Sequence, residues 1–198
     1  SRRFIPKERC TNPDTLSFIT ELLPSEDKVP LRNTIYTLSY VLLDRSDCDR
    51  KLAEKFKTEY GRTHNFVHKF AQVVLPEEFD LLGTVYQSFL TEGVKNSTGS
   101  YYTERSVAQE LLDSLEAKPG ASFLDPCCGS GTFLILAQEM GLKICGMDSD
   151  PIAVMIAKAN LILSGAKEYP DVRVIDFVNR WKSERRRFDF AATNPPWS

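Results

Sequence analysis

From about residue 103 to residue 193 the chain alternates short apolar runs with helical spacings, and an unusual polar residue follows each run at once. This alternation limits the fold more than any other feature. The spacing predicts a helix capped by Thr103 and carrying Val107, Leu111 and Leu115, closed by Pro119-Gly120. Strands are expected over 121–124, 143–147, 172–175 and 188–193, with helices over 132–140 and from Pro151 through Ile152, Met155, Ile156, Ala159 and Leu163 to Gly165. Pro151 suits a first helical position. Strand–helix repeats of this kind build an α/β fold, a parallel sheet with right-handed crossovers. Ligands then collect at the carboxyl ends of the strands.

The first half has a different period. Leu31, Ile35, Leu38 and Leu42 share one helical face, as do Phe79, Leu82, Val85, Tyr86 and Phe89. Between them Leu52, Phe56 and Tyr60, then Phe66, Phe70 and Val73, predict two further helices. The stretch 93–99, glycine at both ends, marks the boundary. The expected organisation is a helical domain over 1–97 and a sheet domain over 98–198.

With 198 residues and 42% hydrophobic composition, the chain can bury one good core and a smaller satellite. A net charge of −2 offers no global basic surface for nucleic acid. Five cysteines at irregular spacing argue against a disulfide framework and for a reducing, cytoplasmic setting. No segment is apolar enough to span a bilayer. The first residue is Ser rather than Met, which suggests a trimmed chain.

The chemistry follows the strands. After the first comes Asp125-Pro126-Cys127-Cys128-Gly129-Ser130-Gly131, a glycine turn that lets backbone approach a ligand. It lacks the third glycine of a dinucleotide site, and an acid stands before it. A carboxylate there suits a cationic amino acid moiety and repels phosphate. A tight turn without a ligand is the plainer alternative. After the second strand Asp148 stands where an acid commonly binds two ribose hydroxyls, while Asp150 reads as a helix cap. After the third comes Asp176-Phe177, a carboxylate to accept from an adenine amino group and a ring to stack on the base. The plainer readings are an aspartate that ends a strand and a phenylalanine that belongs to the core.

After the fourth strand comes Asn194-Pro195-Pro196-Trp197. An exocyclic amine conjugated to a purine is a poor nucleophile. The Asn194 side-chain oxygen and the Pro195 carbonyl can accept its two hydrogens and aim its lone pair at an electrophile, which is orientation and electrostatic catalysis. The prolines fix the backbone, and Trp197 offers a stacking face for an extruded base.

At these residues the chain resembles the amino-group DNA methyltransferases, specifically the N6-adenine methylases of restriction–modification systems. The resemblance covers about residues 79–198: the Leu82-Gly83-Thr84-Val85-Tyr86 helix, Gly99-Ser100-Tyr101-Tyr102-Thr103, the loop from Asp125-Pro126 to Phe133, Asp148, Asp176-Phe177 and Asn194 to Trp197. The motif order is the family's gamma arrangement. It implies a Rossmann-like core that uses S-adenosyl-L-methionine, with Tyr101, Tyr102 and Thr103 beside the methionine end. Asp125, Pro126, Cys128, Gly129 and Gly131 would form the cofactor loop, Asp148 the ribose acid, and Asp176 and Phe177 the adenine pair. Asn194, Pro195, Pro196 and Trp197 would be catalytic, with no metal. Implied partners are double-stranded DNA and a restriction or specificity subunit. Cys127 and Glu104 depart from the family pattern. The family's sheet continues beyond the fourth strand, so a truncated chain with an exposed fourth strand is expected.

His64 and His68 have metal-ligand spacing without an evident third ligand. Arg180, Lys182 and Arg185 to Arg187 form a basic run; the triplet falls at the sheet's amino-terminal edge, where a solvated face or a partner contact is expected rather than DNA. Similar loops with Asn-Pro-Pro occur in RNA guanine-N2 and protein glutamine methyltransferases, which stay open as alternatives. So does a non-catalytic module that binds cofactor or a partner subunit.

Overall fold

The computed structural model describes residues 13–22, 31–61, 75–76, 79–90, 103–180 and 187–195. Helices α1 (Pro13–Leu22), α2 (Leu31–Arg45), α3 (Arg50–Tyr60) and α4 (Leu81–Phe89) come first. Then follow α5 (Arg105–Asp113), β1 (Ser122–Asp125), α6 (Thr132–Glu139), β2 (Lys143–Asp148), α7 (Pro151–Leu163), β3 (Val172–Val174), α8 (Phe177–Arg180) and β4 (Phe190–Ala191). The strands form one parallel sheet in the order β3-β2-β1-β4. The expected strands, and the helices over 132–140 and 151–165, are present to within a few residues. The helix expected around Phe66, Phe70 and Val73, both histidines and the 97/98 boundary lie outside the described residues.

Among the described residues three apolar clusters organise the fold. One gathers Ile35, Leu38, Phe56, Leu82, Val85 and Phe89 from the helical half with Met155, Ile156, Ala159 and Ile162 of α7. A second joins Ala108, Leu112, Phe123, Leu134 and Leu136 to Val154, Ala157 and Leu161, again from α7. The third lies on the sheet's other face around Leu124, Cys145 and Met147. Residues 153–162 of α7 are therefore all buried, which is how a helix apolar on every side is accommodated. Its start is set by Pro151 in the first turn and by Asp150, whose side chain accepts from the Ile152 amide at 2.8 Å.

The first helix of the sheet half corrects the sequence expectation. Glu104 rather than Thr103 holds the N-cap position, without a side-chain cap bond. Ala108 and Leu112 are fully buried, Leu115 packs against them, and Val107 and Leu111 remain about half exposed at 48% and 49%. Packing against α6 selects the Ala108-Leu112 stripe. One residue is about 100° of helix rotation, enough to turn the neighbouring stripe to water. At the helix start the Arg105 guanidinium lies 4.3 Å over the Phe79 ring and 3.3 Å from the Glu139 carboxylate.

Strand β4 is short, paired only as Phe123 with Phe190 and Leu124 with Ala191. A reciprocal bracket aligns it. The Asp189 carboxylate accepts from the Ser122 amide and hydroxyl at 2.8 and 2.7 Å, and the Asp189 amide donates to the Ser122 hydroxyl at 2.9 Å.

Candidate cofactor and amine site

The parallel register carries the site residues to one edge. Asp125 pairs with Gly146, Asp148 with Val174, and the Ile175 amide bonds the Asp148 carbonyl at 2.8 Å. On the other side the Ala192 amide reaches the Leu124 carbonyl at 3.2 Å. Asp125, Asp148, Asp176 and Asn194 therefore leave the carboxyl ends of four adjacent strands.

The loop after β1 is tied down at each step. The Cys128 amide donates to the Met147 carbonyl at 2.8 Å, and the Gly131 amide closes back on the Cys128 carbonyl at 2.8 Å. The Gly129 amide donates to Asp148 Oδ2 at 2.8 Å, and the Asp150 amide to Asp148 Oδ1 at 2.9 Å. Each Asp148 oxygen keeps acceptor capacity for a further donor. Gly131 sits at φ +97°, and a Cβ there would come within 3.3 Å of the Ala157 methyl, so side-chain strain and close helix packing both require glycine. Gly129, also at positive φ, faces open space instead: a Cβ would meet nothing within 4 Å.

Electrostatics concentrate here. Asp125 is 1% exposed, and burial pushes its carboxyl up to about 7. The nearby Thr193 hydroxyl and the Cys127 amide, 3.2 Å from Asp125 Oδ1, oppose that rise, and the Asp148 charge adds to it. Burial also raises Asp148, against the pull of the Asp150 and Gly129 amides. The same burial and the same two acids raise the Cys127 and Cys128 thiols, which keep their protons.

Thr193 is the neighbour that sequence reasoning passed over. Its hydroxyl is buried and has no hydrogen-bond partner among the described residues, while its dipole acts on Asp125 and Cys127 in the direction that opposes the rise caused by burial. The signal for it was only its place before Asn194; a threonine in an apolar run otherwise reads as a strand former.

The remaining expected residues are distributed as follows. Asp176 is exposed and accepts from the Asn179 amide at 3.2 Å and its side chain at 2.5 Å, capping α8. Phe177 is half buried against the third cluster. Asn194 is half buried and Pro195 exposed. Thr103 is half buried before α5. Tyr101, Tyr102, Pro196 and Trp197 lie outside the described residues. Among the described residues no group of three or more His, Cys, Asp or Glu can hold a metal, and no helix is long and apolar enough to cross a membrane.

Comparison with known proteins agrees with this arrangement. The chain is 35% identical over 147 residues to the type I restriction enzyme MjaIX methylase subunit of Methanocaldococcus jannaschii, a match covering 67% of this chain and 26% of that protein. It is 36% identical over 121 residues to the type II methyltransferase M.VspI of Vibrio sp. (strain 343), covering 59% and 29%. A crystal structure of a modification subunit from Vibrio vulnificus YJ016 shares the fold with a TM-score of 0.52 at 20% identity, over 79% of this chain and 39% of that one. The chain thus spans between a quarter and a third of the curated relatives it matches. Residues 77–198, well over half of it, match the family described as N-6 DNA Methylase, and the chain belongs to that family.

Proposed function

We propose that this chain forms the cofactor-binding and amine-gripping part of a DNA methyltransferase that transfers methyl from S-adenosyl-L-methionine to adenine N6. The observation that carries this reading is the row of Asp125, Asp148 and Asn194 at adjacent parallel strand ends. The donor set fits the cofactor. Asp125 would hold the cationic amino end, Asp148 has acceptor capacity for ribose hydroxyls, and a Cβ at Gly129 would meet open space. Asp176 and Phe177 would flank the adenine ring, and Tyr101, Tyr102 and Thr103 the methionine end. When bound, the cofactor supplies an electrophilic methyl on a sulfonium.

The chain's own part is geometric. Asn194 and the Pro195 carbonyl would accept the two amine hydrogens of the target base and orient its lone pair, with Trp197 stacked on the ring. Double-stranded DNA is the proposed substrate, and a specificity or restriction subunit the proposed partner. The expected readout is transfer of labelled methyl to adenine in DNA by the full-length protein, supplied with its specificity subunit if it needs one. Asn194→Ala should lower that transfer by about 10²- to 10³-fold while leaving cofactor affinity within a few fold. Label appearing in RNA or protein instead of DNA would reject the substrate assignment.

A further inference from the structure

Helix α4 lies outside the row of strand ends, yet both of its ends reach that row through hydrogen bonds. At its start Asp80 is 1% exposed and caps the helix, accepting from the Gly83 amide at 2.8 Å. The carboxylate lies so close over Gly83 that a Cβ there would fall 2.1 Å from Asp80 Oδ2, so this cap requires glycine. The same Oδ1 also accepts from Asn160 Nδ2 of α7 at 2.7 Å. The second Asn160 donor goes to the Ser130 carbonyl in the glycine loop at 3.0 Å. One turn away on the same side of α7, Ala157 is the surface on which Gly131 rests. Near the other end of α4 the Tyr86 hydroxyl donates to Asp150 Oδ2. Asp150 caps α7, and its amide holds Asp148 Oδ1 at 2.9 Å.

A helix cap alone needs none of this. The Gly83 amide is satisfied by any short oxygen side chain, and Tyr86 would pack as well as phenylalanine. Each polar group goes further, to a different loop: Asp80 through Asn160 to Ser130, and Tyr86 through Asp150 to Asp148. The two loops meet at the Gly129–Asp148 bond of 2.8 Å, so α4 spans both sides of one closed hydrogen-bonded circuit. The points of attachment, residues 80 and 86, stand about 9 Å apart along the helix.

We infer that α4 is a positioning element for the cofactor site, with Asp80 and Tyr86 as positioning residues that hold the glycine loop and the Asp148 carboxylate in register. The inference rests on the reading that this site binds S-adenosyl-L-methionine. It gives the helical half a role in ligand affinity that packing alone does not supply.

The test is calorimetric titration of the purified protein with S-adenosylmethionine, alongside thermal melting without ligand. Tyr86→Phe removes one hydroxyl and keeps the ring. Asp80→Ser keeps a capping oxygen that is too short to reach Asn160, and Asp80→Asn keeps both acceptor contacts. Tyr86→Phe and Asp80→Ser should each weaken binding roughly tenfold while the protein is still fully folded. Asp80→Asn should restore affinity to within about twofold of wild type. A merely structural role would lower the melting temperature and leave the dissociation constant unchanged. Wild-type affinity in folded Tyr86→Phe therefore overturns the inference, even if Asp80→Ser does not fold. Absence of binding by the wild-type protein overturns the cofactor reading itself, a distinguishable result.

Discussion

At the end of β1 the Asp125 carboxyl is almost out of contact with water, and Asp148 stands at the neighbouring strand end. Burial lifts Asp125 to about 7, whereas an unfolded aspartate titrates near 4. Between those values the folded chain holds a proton that the unfolded chain has released. Asp125 therefore favours the fold at low pH, and that advantage disappears as pH rises through about 7. Melting followed from pH 5 to pH 8 should fall more steeply for wild type than for Asp125→Asn. Binding of a cationic ligand runs the opposite way, since it needs the ionised acid: affinity should rise between pH 6 and 8, and Asp125→Asn should remove most of that rise. The site acids were legible in the sequence because each closes an apolar run. Thr193 and the Gly131–Ala157 contact were not, because their meaning depends on partners distant in the chain.

Among the elements, α5 shows where periodicity alone runs out. Two adjacent stripes, Val107-Leu111 and Ala108-Leu112, are both apolar at helical spacing, and hydrophobicity favours the bulkier one. The contact with α6 chooses the other. Urea denaturation should register the choice: Leu112→Ala should cost about 2–4 kcal/mol, and Leu111→Ala about 0.5 kcal/mol or less. The reverse order would refute the assigned face. Strands and the flanking helices were read more easily, because strand lengths and glycine or proline boundaries agree with local chemistry there. The pairing of β4 is shorter than its apolar run, and the Ser122–Asp189 bracket that aligns it joins residues far apart in sequence.

Over the whole molecule, the change of period near residue 100 was visible in the sequence, but the sharing of α7 between both halves was not. The first cluster runs from Phe56, fully buried beside Tyr36 and Tyr60, across α2 and α4 to the outer side of α7. An ion pair supports the same junction, with Lys158 2.7 Å from Glu59 and the Tyr169 hydroxyl on the same carboxylate. We propose that the two halves unfold together. Phe56→Ala, costing about 3–5 kcal/mol, should speed amide exchange in β1 and β2 as much as in α2; loss of protection confined to α2 and α3 would show separate units.

The closure of α7 on all sides also says what happens if the sheet half is cut free. Met155, Ile156, Ala159 and Ile162 would form a greasy stripe on an otherwise water-facing layer. An excised piece is then expected to self-associate through that stripe unless those four positions are recoloured with polar side chains.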